Sequence, residues 1–253
     1  MFQLAFIGHE RFYEETIAGI PEDDVKKHIR FVCVNEKLPK FIPESFPKEC
    51  IQNEWEIPEY EKFYQENNYY QNSVFFNTMN VIETLGLDQI GFFQYDMKMS
   101  PEIFDHIKRS CAEDKDASIA FYPYPIEQLF EIVNPGAWQF IIQQYSNFFQ
   151  VPVDTDLLES KKLALYHTFV IPKKNYCRMM HFAKKVHPNI ITFLNNTGTR
   201  HMAGTLERLF ALFLNLEIVT GNMADFEWID GLIHDDVNLR LRDEFRGVSL
   251  HKK

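Results

Sequence analysis

Several places in this chain carry side chains that can act on a polar ligand. Asp96 follows the apolar run 89–93 (QIGFF) and its polar continuation Gln94-Tyr95. A carboxylate just past the carboxyl end of a buried strand stands where open α/β sheets hold their ligands. One such carboxylate can bind a divalent cation, Mn²⁺ or Mg²⁺, whose other positions are filled by ligand phosphates and water. The plainer reading of Asp96 is a strand-end turn. Asp88 opens the same run from the opposite end and cannot contribute.

The segment 198–210 (GTRHMAGTLERLF) is a Gly-bearing polar loop running into a helix. Such a junction presents free N–H groups and the positive end of the helix dipole, which suits an anion. Arg200 and His201 lie in the loop, and Glu207 lies in the first turns of the helix, where it can serve as general base toward a hydroxyl. Glu207 and Arg208 as solvated helix residues or a structural ion pair is the alternative. Asp154 and Asp156, ahead of the late apolar run, are the carboxylates that would replace Glu207. At the start, Phe6-Ile7-Gly8-His9 ends an apolar run on a small residue, which lets a base and ribose approach the backbone closely. His167 and Thr168 sit inside the run 163–171 (LALYHTFVI), where a lone His is more often part of the core.

GxGxxG and GxxxxGK[ST] are absent, which counts against a classical dinucleotide or P-loop site, and without GxSxG or HExxH the serine-hydrolase and zincin readings fall away. The chain has 253 residues, a net charge of −10, 45% hydrophobic and 25% charged residues. That is a globular composition with the wrong sign for gripping nucleic acid. Aromatic residues reach 15%, enough to line a pocket as well as fill a core. The four cysteines form no CxxC or Cys–His cluster, so reduced thiols in a cytoplasmic setting are expected. No window approaches the ~18 apolar residues of a membrane span, and the start has no basic lead-in of a signal peptide.

These residues need elements to hold them. Residues 4–7 and 30–34 read as strands flanking a helical acidic stretch at 14–24, the size of a βαβ unit. Residues 39–58 carry four prolines and read as an irregular crossover. A helix is expected over 60–85, strands over 89–93, 118–122 and 163–171, and helices over 101–111, 174–186 and 202–218. Ser100 and Pro101 supply the cap and first position of the helix at 101–111. The tail 225–253 is mixed in charge and reads as a surface helix. With no repeat and no low-complexity linker, one α/β domain is expected.

Taken in order, several blocks resemble the DUF4422 family of bacterial and viral glycosyltransferases of the capsular and lipopolysaccharide type. Asn67-Asn68-Tyr69-Tyr70-Gln71-Asn72 stands where that family has Asn-Pro-x-Tyr-Cys-Glu opening a helix. Ile90-Gly91-Phe92-Phe93-Gln94-Tyr95-Asp96-Met97 resembles its Ile-Gly-(Leu/Phe)-Cys-His-Tyr-Arg-Arg strand. Residues 200–209 resemble its Arg-x-x-Gly-(Tyr/Phe)-Leu-x-Glu-Arg-Leu block, and the stretch 176–190 resembles the segment before it. Asn72 replaces the family's Glu, and Gln94 and Asp96 replace His and the first Arg. Asp96 thereby falls where GT-A enzymes keep the last Asp of their metal-binding Asp-x-Asp, with the poor ligand Gln94 at its first position. The compact chain and aromatic bias also look like the glycosyltransferases of large algal viruses, a xylosyltransferase among them.

The resemblance implies a single GT-A-like domain over residues 1–253, a Rossmann-like nucleotide-sugar-binding fold with a central mixed sheet flanked by helices. It implies transfer of a sugar from a nucleotide diphosphate donor, a UDP-sugar such as UDP-xylose, to a hydroxyl of a glycan acceptor, with inversion. Asp96 would hold the divalent cation and Glu207 would be the base. Phe6, Gly8, His9, Asn68, Tyr70, Asn72, Tyr95, Arg200 and His201 would hold the donor, and rings such as Tyr69, Trp138 and Tyr166 would stack on it. A non-catalytic carbohydrate- or nucleotide-binding protein and a nucleotide-sugar hydrolase are the rival readings.

Overall fold

The computed structural model describes residues 1–8, 12–34, 42–126, 137–197 and 202–234. His9, Arg200, His201 and the tail from residue 235 onward therefore lie outside the described residues. The run FQLAFIG forms β1 (Phe2–Gly8), buried almost throughout, as a strand covered on both faces must be. It pairs in parallel with β2 (Ile29–Cys33) on one side and β4 (Gln89–Gln94) on the other. β2 carries a short parallel strand, β3 (Ile51–Asn53), inside the proline-rich crossover. Beyond β4, β9 (Phe169–Pro172) runs antiparallel, followed by β6 (Ile119–Ala120) and β10 (Glu227–Trp228). The order of the mixed sheet is β3-β2-β1-β4-β9-β6-β10.

The chain leaves β1 toward β2 and β3, then returns past β1 to β4. The strand order reverses between β1 and β4, so the carboxyl ends at Gly8 and Gln94 are where an open α/β sheet is expected to hold a ligand crevice. Gly91 lets the neighbours close over β4: a Cβ there would stand 2.8 Å from side-chain atoms of both Leu4 and Val170.

Period two sends the consecutive rings Phe92 and Phe93 to opposite faces. Phe93 stacks on Phe6 at 5.2 Å, on the face where α1 (Glu22–His28) and α4 (Pro101–Glu113) pack through His28 and Phe104 against Phe2. Phe92 stacks at 3.9 Å on Phe75 of α3 (Asn72–Val81), and Phe75 stacks at 4.9 Å on Phe210 of α8 (Met202–Val219). α7 (Lys173–Thr197) and α5 (Ala137–Phe149) complete that layer, Tyr145 meeting Phe213 and Phe182 edge-on. Much of the aromatic excess thus fills the two core layers. The α4 start follows the sequence reading, with the Ser100 side chain accepting from the Ile103 N–H at 3.4 Å. Among the described residues no helix is long and apolar enough to cross a membrane.

Three elements depart from expectation. The helix expected over 60–85 breaks into α2 (Phe63–Glu66) and α3, because Asn68 and Tyr70 adopt left-handed backbone at φ 61° and 49°. The run 163–171 is two strands. β8 (Lys162–Ala164) pairs with β7 (Pro123–Pro125), and a left-handed turn at Tyr166 and His167 (φ 56° and 53°) feeds β9. In the tail, residues 227–234 supply β10 and β11 (Ile233–His234), not a helix, because β6 and β5 (Met97–Lys98) offer them backbone partners.

Candidate functional site

Past the end of β4 the Tyr95 N–H donates to the Ile7 carbonyl at 3.0 Å, extending the β1–β4 pairing by one residue. Asp96 follows, only 3% exposed. The β5–β11 ladder sets His234 opposite Met97, and this brings His234 Nε2 to 2.7 Å from Asp96 Oδ2. Asp96 Oδ1 and His234 Nδ1 are both buried and have no partner among the described residues. Leaving a buried polar atom unsatisfied costs about 1–3 kcal/mol, so the pair is poorly arranged for stability alone. A carboxylate oxygen suits Mg²⁺ or Mn²⁺ and an imidazole nitrogen suits Zn²⁺, Cu²⁺ or Fe²⁺, so the pair offers two donor types to a divalent cation without selecting one. Asp96 Oδ2 and His234 Nε2 share a proton at 2.7 Å, so a cation held by these two atoms would have to take its place, two adjacent ligands of an octahedral ion at about 2.1 Å lying about 3 Å apart. No third His, Cys, Asp or Glu joins them among the described residues, so ligand oxygens and water would complete the shell.

Non-glycine residues with left-handed backbone crowd this pair. The Tyr166 ring lies 5.1 Å from the His234 ring and the Tyr122 ring 6.3 Å, and Tyr122 has φ 52°. Each such residue costs on the order of 1–3 kcal/mol, and such strain gathers where surroundings dictate a geometry. The Tyr122 hydroxyl donates to the Leu232 carbonyl, pinning the chain just ahead of His234. The Tyr166 N–H donates to Glu207 Oε1 at 3.2 Å. Glu207, on the second turn of α8, is therefore held by the residue whose ring rests on His234. The fold brings Glu207 and the Asp96–His234 pair to one end of the sheet.

His167, next in the turn, is 3% exposed and packs 4.8 Å from Phe75. Burial pushes its imidazole down to about 4, against the pull of Glu207 and aided by Arg208. The ring is neutral and belongs to the core. Thr168 turns its hydroxyl to the Leu165 carbonyl at 2.5 Å and closes the same turn.

The remaining sequence candidates are scattered more widely. Phe6 is fully buried between Phe31 and Phe93, so its side chain does not reach the crevice: an inward position on a two-sided sheet belongs to the core. At Gly8 the missing side chain makes room for the chain's own Phe12, whose ring would lie 2.7 Å from a Cβ, and the Gly8 carbonyl accepts from the Val34 N–H. Tyr95 stays at the crevice, stacked on Tyr13 at 6.4 Å. Asn72 donates to the Tyr69 and Ala203 carbonyls at 3.0 and 3.2 Å, tying the start of α3 to the start of α8. Asn68 and Tyr70 stand exposed just before it, whereas Tyr69 is buried and its hydroxyl is pushed up to about 12 by burial. Asp154 caps α6 (Thr155–Glu159) by accepting the Leu157 N–H at 2.9 Å, and Asp156 lies exposed in that helix. Sequence reasoning missed His234. The triplet His234-Asp235-Asp236 is its one local signal, and its partner stands 138 residues away.

No family model and no curated protein matches this chain. Among solved structures it is similar to core-mannan synthase A from Aspergillus fumigatus in its Mn/GDP form, at 7% identity over 93% of this chain and 74% of that one, with a TM-score of 0.42. The mannosyltransferase Ktr4p from S. cerevisiae in complex with GDP matches at 8% identity over 89% of this chain and 68% of that one, with a TM-score of 0.38. The likeness is loose, and neither ligand nor activity follows from it for this chain.

Proposed function

We propose that this chain is a glycosyltransferase of GT-A type, taking a nucleotide diphosphate sugar as donor and a hydroxyl of a glycan as acceptor. The observation that carries this reading is the buried Asp96–His234 pair, with an orphaned oxygen and nitrogen, at the reversal point of a mixed sheet. When bound, a divalent cation there supplies positive charge to the departing diphosphate. Asp96 and His234 would hold it, with the Tyr166 ring 5.1 Å from the His234 ring and the Tyr122 hydroxyl pinning the chain at Leu232. Glu207 takes the proton of the acceptor hydroxyl, its other oxygen anchored on the Tyr166 N–H. Tyr95 and Tyr13 offer paired rings to the donor's base, and Arg200 would add bidentate charge on the diphosphate with His201 beside it. The finer reading is a UDP-sugar, UDP-xylose among the choices, transferred with inversion.

A thermal-shift panel of nucleotide sugars with and without Mn²⁺ tests this. A true donor at a hundred times its Kd adds about 2.7 kcal/mol, and this size of chain gains roughly 2–4 °C per kcal/mol. A metal-dependent rise of about 5–10 °C with one nucleotide sugar is expected. A flat panel would remove the reading, and free sugar released at full rate without acceptor would make the protein a hydrolase instead.

A further inference from the structure

We infer that the turn bearing Tyr70 is an acceptor subsite, a platform on which one sugar ring of the glycan stacks away from the reacting hydroxyl; this rests on the transferase reading above. Tyr70 is 55% exposed in a chain that buries most of its rings, and its backbone is left-handed two residues after the equally left-handed Asn68. Such conformations persist in non-glycine residues when the surroundings over-determine them. Here they do. The Tyr70 carbonyl accepts from Ser73 Oγ at 2.7 Å and from Gln65 Nε2 at 3.2 Å. Gln65 Nε2 also lies 2.6 Å from Ser73 Oγ and 2.7 Å from Glu54 Oε2, and Asn77 Nδ2 donates to Glu54 Oε1 at 2.8 Å. Glu54 is completely buried, its carboxyl pushed upward by loss of water and drawn back by Ser73, Asn77 and Gln65. A closed polar network beneath the surface thus holds one aromatic ring out in solvent.

The chemistry around the ring selects its occupant. Asn67 and Asn68, just ahead of it in the chain, are exposed, the Asn67 amide donating to the carbonyl of the half-exposed Phe63 at 2.8 Å, and Lys62 is engaged by Glu66 at 3.2 Å, so the turn itself carries no charge. A Tyr ring with an apolar face and a hydroxyl edge fits the C–H face and hydroxyl rim of a neutral sugar better than a phosphate. Direction follows from Asn72, whose bond to the Ala203 carbonyl puts this turn beside the start of α8. Glu207 lies one helical turn further on, about 5.4 Å along the axis. The Tyr70 turn therefore stands on the Glu207 side of the site, the side the acceptor takes in the reading above. Tyr70 is thereby assigned to the acceptor and not to the donor.

The test uses the full chain and saturation-transfer NMR with neutral trisaccharides of glucose, mannose and xylose, each beside its monosaccharide. At least one trisaccharide should bind. Tyr70→Ala should weaken it about tenfold, the worth of one aromatic stacking contact. Tyr70→Phe should stay within about twofold of the parent, and monosaccharide signals should not change between proteins. Equal trisaccharide affinity in Tyr70→Ala, or no trisaccharide binding by the parent protein, would overturn the subsite. Nucleotide-sugar binding with Mn²⁺ is measured in parallel: its absence counts against the transferase reading, while the Tyr70 result stands or falls on the trisaccharides.

Discussion

Asp96 and Glu217 are both carboxylates that the fold takes out of water, and their surroundings treat them in opposite ways. Glu217, on α8, is fully buried and receives Arg178 through both oxygens, Nε to Oε2 at 2.6 Å and Nη2 to Oε1 at 3.0 Å. The Tyr145 hydroxyl adds a third bond at 2.7 Å, and the guanidinium rests 4.6 Å over the Phe149 ring. Asp96 receives one contact from His234 and keeps an oxygen without a partner among the described residues. A saturated carboxylate braces helices, whereas an under-partnered one beside strained backbone is the one proposed above to take a ligand. The contrast also explains position. Glu217 ties α5, α7 and α8 within the helical layer, and Asp96 lies at the carboxyl end of β4, where the crevice opens.

The predictions press on this difference. Glu207→Gln keeps an oxygen for the Tyr166 N–H, so the protein should bind donor normally and transfer it about 10²–10⁴-fold more slowly. Single-turnover kinetics decides, and an unchanged rate would take Glu207 out of the mechanism. Asp96→Asn, and separately His234→Gln, should lower Mn²⁺-dependent nucleotide-sugar affinity by about a hundredfold, roughly 2.7 kcal/mol, with little change in melting temperature. If calorimetry found affinity intact and stability lost, Asp96 would belong with Glu217 as a brace.

Glu217→Ala should do the reverse. Removing one partner of a buried pair costs about 3 kcal/mol, less Arg178's escape to water, so the midpoint should fall by roughly 5–10 °C while donor affinity of the folded protein holds. The smallest effect concerns acid. His167 is driven down to about 4, and His28, stacked on Phe2, is also lowered, in both cases by burial. Between the unfolded value near 6.5 and the folded value, the unfolded chain binds more protons, so stability is full above about pH 7 and is lost as pH falls toward 4. His167 alone should cost about 2 kcal/mol at pH 5, read as a drop in denaturation midpoint that His167→Phe largely removes.

The expected elements that rest on composition of short runs agree with the fold: residues 89–93 are a central strand and Ser100-Pro101 open a helix. What escaped the sequence reading was left-handed backbone at bulky residues. Nothing in LALYHTFVI marks Tyr166 and His167 as a turn, since neither Gly, Pro nor Asn occurs there, and the conformation is imposed by β7, Glu207 and the core around Phe75. The strand-end placement of Asp96 was legible because strand ends are local features. The place of His234 was not, because a two-residue strand has no period to detect and comes beside Asp96 only by pairing with β5.

By itself the sequence determined the runs that must be buried, the polar ends that break them, and the carboxylates available for chemistry. These follow from short-range patterning, which acts along the chain whatever the fold. Only the tertiary structure decided which carboxylate is saturated and which is left open, which ring is core and which is displayed. Those outcomes depend on what residues a hundred positions away bring to the same few ångströms, and hydrogen-bond satisfaction is a property of that meeting, not of either residue alone.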